Sequence, residues 1–176
     1  MRYERCPHTL AILNGGFLSL DGMFWLMLIA VALGFIVYMG YRTFGNSDVT
    51  IEQSNLGTLM TNTKRLKSTT GYATSGTNLV PPLINLEGTG GMGISGTTLT
   101  NRWNGAVTVV SNGMTFTVTE TKLPKNACIT LASNMAKDKQ TTTAINGGTA
   151  VAGEITAVAA STSCSSDANT IAWTSY

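Results

Sequence analysis

Between Asp21 and Arg42 lie twenty consecutive residues without a charge, Gly22 to Tyr41 (GMFWLMLIAVALGFIVYMGY). Wound as a helix rising about 1.5 Å per residue, this stretch is about 30 Å long, the thickness of a bilayer's hydrocarbon core. A cleavable secretory signal is the first competitor, but its apolar region runs to about 7–15 residues and ends at an A-x-A-like site. Here the run is longer, and its end, Val37-Tyr38-Met39-Gly40-Tyr41-Arg42, offers no such site. A membrane-resident helix near the N-terminus is therefore expected, with one further domain in the remainder of the 176 residues.

That remainder is poor in chemistry. Lys and Arg number 11 and Asp and Glu 9, so 11% of residues are charged, against roughly 25% in ordinary soluble domains. A net charge of +2 supplies no basic surface to grip a phosphate backbone, and no nucleic-acid binding is expected. The one histidine is His8, which makes Ser-His-Asp, Cys-His and His-metal sites hard to build. No acid-base pair of useful spacing stands out, and Glu154 and Asp167 read as solvated surface charges. No catalytic residue, metal site or cofactor is expected. The GTGGMG run at Gly88–Gly93 lacks the Lys-Ser/Thr of a phosphate loop and reads as a flexible surface loop.

Thr43-Phe44-Gly45-Asn46-Ser47-Asp48 is a weak point for a continuous helix, with Ser47 or Asp48 able to cap a restart. From Val49 to Leu66 a helical pattern appears, with Leu56, Leu59, Met60 and Leu66 near one stripe and Lys64, Arg65 and Lys67 near its end. Residues 71–101 read as loop, with Pro81-Pro82 and a compact apolar cluster of Leu79, Val80, Leu83, Ile84 and Leu86. A hairpin follows: Ala106–Val110, a turn at Ser111-Asn112-Gly113, then Met114–Thr119 with Met114, Phe116 and Val118 on one face. Pro124 opens a short helix to Lys137, with Cys128, Leu131, Ala132 and Met135 on one side. Short strands are expected at Thr149–Ala159, carrying Val151, Ile155 and Val158, and at Thr170–Tyr176.

The N-terminal flank adds the most specific signal. Residues 1–16 (MRYERCPHTLAILNGG) contain Arg2, Glu4, Arg5 and His8 and end in a glycine pair. Phe17-Leu18-Ser19-Leu20-Asp21 follows, then the apolar run. A short polar leader ending in Gly, an apolar residue, a lone acid four positions on and a long apolar helix together resemble a type IV prepilin. The resemblance implies an α+β fold, in which a long hydrophobic helical spine packs on a small antiparallel β-sheet head with a C-terminal disulfide-bonded region. It divides the chain into a cleaved leader (1–16), an apolar membrane or filament-core half-spine (17–45), an amphipathic half-spine (46–72) and a head (73–176).

On the same resemblance a prepilin peptidase cuts after Gly16, and Phe17 becomes the N-methylated first residue. The family's acid is generally Glu, whereas this chain has Asp21, one methylene shorter. A carboxylate at the edge of hydrocarbon is expensive and usually has a partner. In a pilus that partner is the amino group of a neighbouring subunit's first residue, which makes Phe17 and Asp21 the assembly residues. The plainer reading is an interfacial Asp21 solvated by headgroups. A cut after Gly22 is the second choice; it would leave Met23 first and delete Asp21. Pilin spines often carry a mid-helix Pro and Gly where they extend on assembly, and Gly34, Gly40 and Gly45 could serve here. Leader removal also takes away His8 and Cys6. That leaves Cys128 and Cys164, which with the head outside the cytoplasm are expected to form a disulfide.

Asn101-Arg102-Trp103-Asn104-Gly105 resembles a segment preceding a central strand in type IVb pilins of thin conjugative pili, and Leu123-Pro124 before a Cys-bearing helix fits the same group. Trp103 reads as cover for the end of the sheet, with a sugar-stacking platform as the alternative; Trp173 and Tyr176 also read as packing. The expected function is that of a major structural pilin, polymerising with its own copies into an extracellular type IVb pilus that serves cell–cell contact in plasmid conjugation. Implied partners are the prepilin peptidase, an inner-membrane assembly platform with its cytoplasmic ATPase and an outer-membrane secretin. The prepilin would wait in the inner membrane with a periplasmic head. The alternatives are a minor pilin or pseudopilin, or an uncleaved single-pass anchored periplasmic binding protein.

Overall fold

The computed structural model describes residues 20–176, the side chains of residues 20, 21 and 40–46 excepted. The predicted leader, Gly16 and Phe17 lie outside the described residues. The chain forms two compact units that meet in sequence at Thr43 and Phe44.

Helix α1 runs Leu20–Arg65 and closes with Lys64 and Arg65 in its last turn, where cations suit the exposed carbonyls. Its helical bonding passes through residues 43–48 without a break, so the expected restart at Ser47 or Asp48 does not occur. One Gly and one Asn cost roughly 1 kcal/mol each in helix propensity at most, too little to interrupt a helix with many turns on either side.

In the unit from Phe44 onward, seven antiparallel strands form one sheet: β1 (Gly93–Ser95), β2 (Thr98–Thr100), β3 (Ala106–Ser111), β4 (Phe116–Leu123), β5 (Thr142–Ile145), β6 (Val151–Ala152) and β7 (Asn169–Ser175). Their order across the sheet is β1-β2-β3-β4-β7-β5-β6. Three short helices accompany it: α2 (Val80–Asn85), α3 (Lys125–Asn134) and α4 (Ala157–Ser163). This is the expected α+β architecture.

Strand alternation sends one set of side chains inward. Val107, Val109, Phe116, Val118, Ile171 and Trp173 pack with Leu56, Leu59 and Met60 of α1, Val80 and Leu83 of α2 and Leu131 of α3 in one core. Each fully buried aliphatic side chain contributes about 1.5–3 kcal/mol. The other face is lined by Thr108, Thr117, Thr119, Thr142 and Thr174, and Thr117 and Thr174 share a 2.8 Å hydroxyl hydrogen bond across paired strands.

Several sequence expectations are corrected. The hairpin closes through a longer loop: Ser111 pairs with Phe116, and the Asn112 amide donates to the Thr115 carbonyl at 2.8 Å. Met114 therefore sits in the loop and is 52% exposed. The helix opened by Pro124 ends at Asn134. Thr149–Ala159 supplies only the two-residue β6 and the start of α4, because Thr156 caps that helix by accepting from the Ala159 amide at 3.3 Å. Val158 consequently faces solvent.

The stretch 71–101 is not one loop but holds α2 and the β1–β2 hairpin. Its glycine-rich run is packed rather than free. Gly88 and Thr89 are buried, Asn62 of α1 donates to the Gly88 carbonyl at 3.1 Å, and a Cβ on Gly90 would overlap the Asn55 carbonyl. Glycine there lets the chain lie directly on the helix.

Candidate functional site

Two regions carry the functional weight, and each belongs to its own unit. In the first, every described side chain from Met23 to Met39 is exposed, and the 18-residue window Gly22–Met39 has a mean hydropathy of 2.3 with none of it buried. Among the described residues this is the one helix apolar and long enough to cross a membrane. A helix apolar on all sides is stable only when lipid or other apolar protein covers it. At Gly34 nothing lies within 4 Å of where a Cβ would stand. Gly40 and Gly45 lie within the α1 backbone, and the Asp21 side chain is outside the described residues.

In the second unit, the Asn101–Gly105 segment is a tight loop joined to β4. The Asn101 carboxamide oxygen accepts from the Trp103 amide at 3.1 Å and the Gly105 amide at 2.7 Å. Its nitrogen donates to the Thr121 carbonyl at 2.9 Å. A carboxamide supplies both acceptor and donor, which an ionised carboxylate of the same length does not. Asn104 takes a positive φ of 55°, and a Cβ on Gly105 would overlap the Thr121 carbonyl. Trp103 is partly buried against the core, as expected of a cover rather than a platform.

The loop also reaches α1. The Arg102 guanidinium donates to Asp48 from Nε at 3.0 Å and from Nη2 at 2.7 Å, and the Arg102 backbone amide donates to Glu52 Oε2 at 3.1 Å. Glu52 and Glu120 are both fully removed from solvent, with Glu52 nearer the surface beneath Arg102. Burial pushes the Glu52 carboxyl up, opposed by the Arg102 amide and by Glu120. Burial, the charge of Glu52 and the bond to Glu52 push Glu120 well up. As bare carboxylates, Glu52 Oε1 and both Glu120 oxygens have no donor. A proton on Glu120 supplies one: a carboxylic acid donates to the neighbouring carboxylate, which pairs one oxygen of each group and removes the repulsion, leaving the second Glu120 oxygen without a donor.

Sequence reasoning missed this pair, although a signal was present. Glu120 shares the parity of Phe116 and Val118 along β4, and Glu52 precedes Leu56 and Leu59 by one and two turns, so periodicity puts both inside. Glu154 and Asp167 are exposed as expected.

Cys128 of α3 and Cys164 after α4 form a disulfide with a Cα–Cα distance of 5.9 Å, both residues fully buried. Trp173 is fully buried in the core. Tyr176 instead is 57% exposed, with the Lys67 ammonium 5.3 Å from its ring centre and 5.6 Å from that of Tyr72. Its packing is thus at the surface, beside Lys67, rather than in the core.

The model of one protein family, described as PilS N terminal, matches residues 46–176, well over half of the chain. No curated protein matches it.

Proposed function

Since the chain belongs to the PilS family of pilins, we propose that it is the major structural subunit of an extracellular type IVb pilus serving cell–cell contact in conjugation. Its family makes it a self-assembling structural protein. The observation that supports a filament subunit is the apolar segment Met23–Met39, exposed along its whole length, in a chain whose Phe44–Tyr176 unit has a core of its own. Such a helix needs lipid before assembly and the equivalent helices of other copies afterwards.

In this reading the prepilin resides in the inner membrane with its head in the periplasm. A prepilin peptidase removes residues 1–16, cutting between Gly16 and Phe17. Asp21 then pairs with the amino group of a neighbouring subunit's Phe17 as an assembly platform and its ATPase draw the subunit into the filament, which leaves through a secretin. Gly34, Gly40 and Gly45 are the positions where the spine would extend. The head's low charge and threonine-lined outer sheet face suit a polymer exposed to solvent. The subgroup assignment is supported by the Asn101–Gly105 loop and its place before β3.

The test is the N-terminal residue and intact mass of the protein sheared from cell surfaces. A dominant species beginning at Phe17 supports the reading. A start at Met23 keeps a pilin but removes Asp21 from assembly. An intact chain confined to membranes overturns the filament reading in favour of an anchored protein, and a minor sheared species points to a minor pilin.

A further inference from the structure

The carboxyl pair lies where the head first takes hold of α1. Val49 is the first buried side chain among the described residues of that helix, followed by Glu52 and Leu56. From α1, Asp48, Glu52 and Asn55 face the site; from the Asn101–Gly105 loop comes Arg102; from β4 comes Glu120. The cross-strand neighbours of Glu120 are Val107 on β3 and Ile171 on β7, both apolar and fully buried. Three carboxyls thus face a single cation, whose guanidinium is already held by Asp48. With Asp48 ionised, one proton on the pair leaves the cluster one charge negative; without it the excess is two, deep between helix and sheet.

We infer that Glu52 and Glu120 form a proton-dependent clasp between α1 and the sheet, closed while the pair holds a proton and loosened when both carboxyls ionise. Apolar residues flank Glu120 on the sheet, so lifting of the α1 turn that bears Glu52 is the opening that would admit water to it. A carboxyl raised by the fold stabilises the closed state fully below its unfolded value, and that stabilisation is lost as pH rises through the folded value. The clasp therefore tightens toward acid and slackens toward alkali, the reverse of an ordinary paired carboxylate. This device belongs to the Phe44–Tyr176 unit alone and does not depend on filament assembly.

Hydrogen exchange of the full chain in detergent micelles, from about pH 5 to about pH 9, tests it under conditions where exchange reports the opening equilibrium. Protection of the Val49–Leu56 amides, corrected for intrinsic rates, should fall by up to tenfold per pH unit for each carboxyl that ionises. Glu120→Gln keeps a donor to Glu52 without the titrating group and should flatten the profile, while the β7 amides Ile171–Trp173 respond less than α1 in the wild type. A flat wild-type profile, an undiminished slope in Glu120→Gln or an equal response in β7 each overturns the clasp. Should Glu120→Gln fail to fold, the wild-type profile is read with the infrared band of protonated carboxyl groups. That band must persist at neutral pH, and its absence refutes the inference.

Discussion

Opening the Cys128–Cys164 bond should cost this head a large share of its stability. The bond spans 36 residues, and closing a loop of that length removes about 13 cal/mol/K from the unfolded ensemble, or about 3.8 kcal/mol at 25 °C. A domain has about 5–15 kcal/mol in all. The bond also fixes α3 to α4, and β7 follows Cys164 by a short connection, so no other covalent link restrains that end of the sheet among the described residues. The assay is urea unfolding of the full chain in micelles, followed by tryptophan fluorescence, in oxidised form and after reduction in denaturant and refolding with reductant present. With a slope of about 2 kcal/mol/M, the midpoint should fall by about 2 M. A shift below about 0.5 M with unchanged slope refutes the loop-closure accounting, since that change corresponds to about 1 kcal/mol. Reductant added to the folded protein should open the bond only at the rate of unfolding, because both cysteines are fully buried.

Asn101→Ala should destabilise the head by about 2–4 kcal/mol in the same urea assay, since it strips a donor from the Thr121 carbonyl and an acceptor from two amides. Arg102→Ala should cost under about 1 kcal/mol, because it removes a half-exposed ion pair while the backbone amide still reaches Glu52; a loss above 2 kcal/mol would make the guanidinium the main restraint on the carboxyl pair. Gly90→Ala should cost about 1–3 kcal/mol through overlap with the Asn55 carbonyl and a φ of +71°, read as a drop in thermal midpoint. Asp21→Ala should leave leader cleavage intact but abolish surface pili; normal piliation by electron microscopy would remove the neighbouring-amine role from the reading.

The sequence made the elements with a strong period legible. Leu56, Leu59 and Met60 recur at helical spacing and are buried, and Val107, Val109, Phe116 and Val118 alternate and are buried, because each pattern has one dominant physical cause. The glycine-rich run at 88–93 misled because glycine signals both freedom and close approach; only tertiary packing on Asn55 and Asn62 decides between them. Val151, Ile155 and Val158 fit a strand as well as anything over so short a span, and the Thr156 cap tipped the segment into α4. Met114 followed the alternation of β4 but fell in the loop, since hairpin register is set by the turn and not by the strand alone. The carboxyl pair stayed hidden for another reason: acids are expected in water, and that expectation outweighed a periodicity that placed Glu52 and Glu120 inside.

The position of β7 governs when the head can become whole. It lies between β4 and β5, so strands β1–β4 and the β5–β6 pair cannot join until Asn169–Ser175 has emerged. Its pairing with β4 spans as many as 59 residues, from Phe116 to Ser175, a non-local closure of the kind that slows folding. Until the seventh strand slots between them, the chain would present two incomplete half-sheets, with the facing edges of β4 and β5 unpaired. The edges most in need of protection while the sheet is incomplete are therefore those in its middle, β4 and β5, not the outer strands β1 and β6.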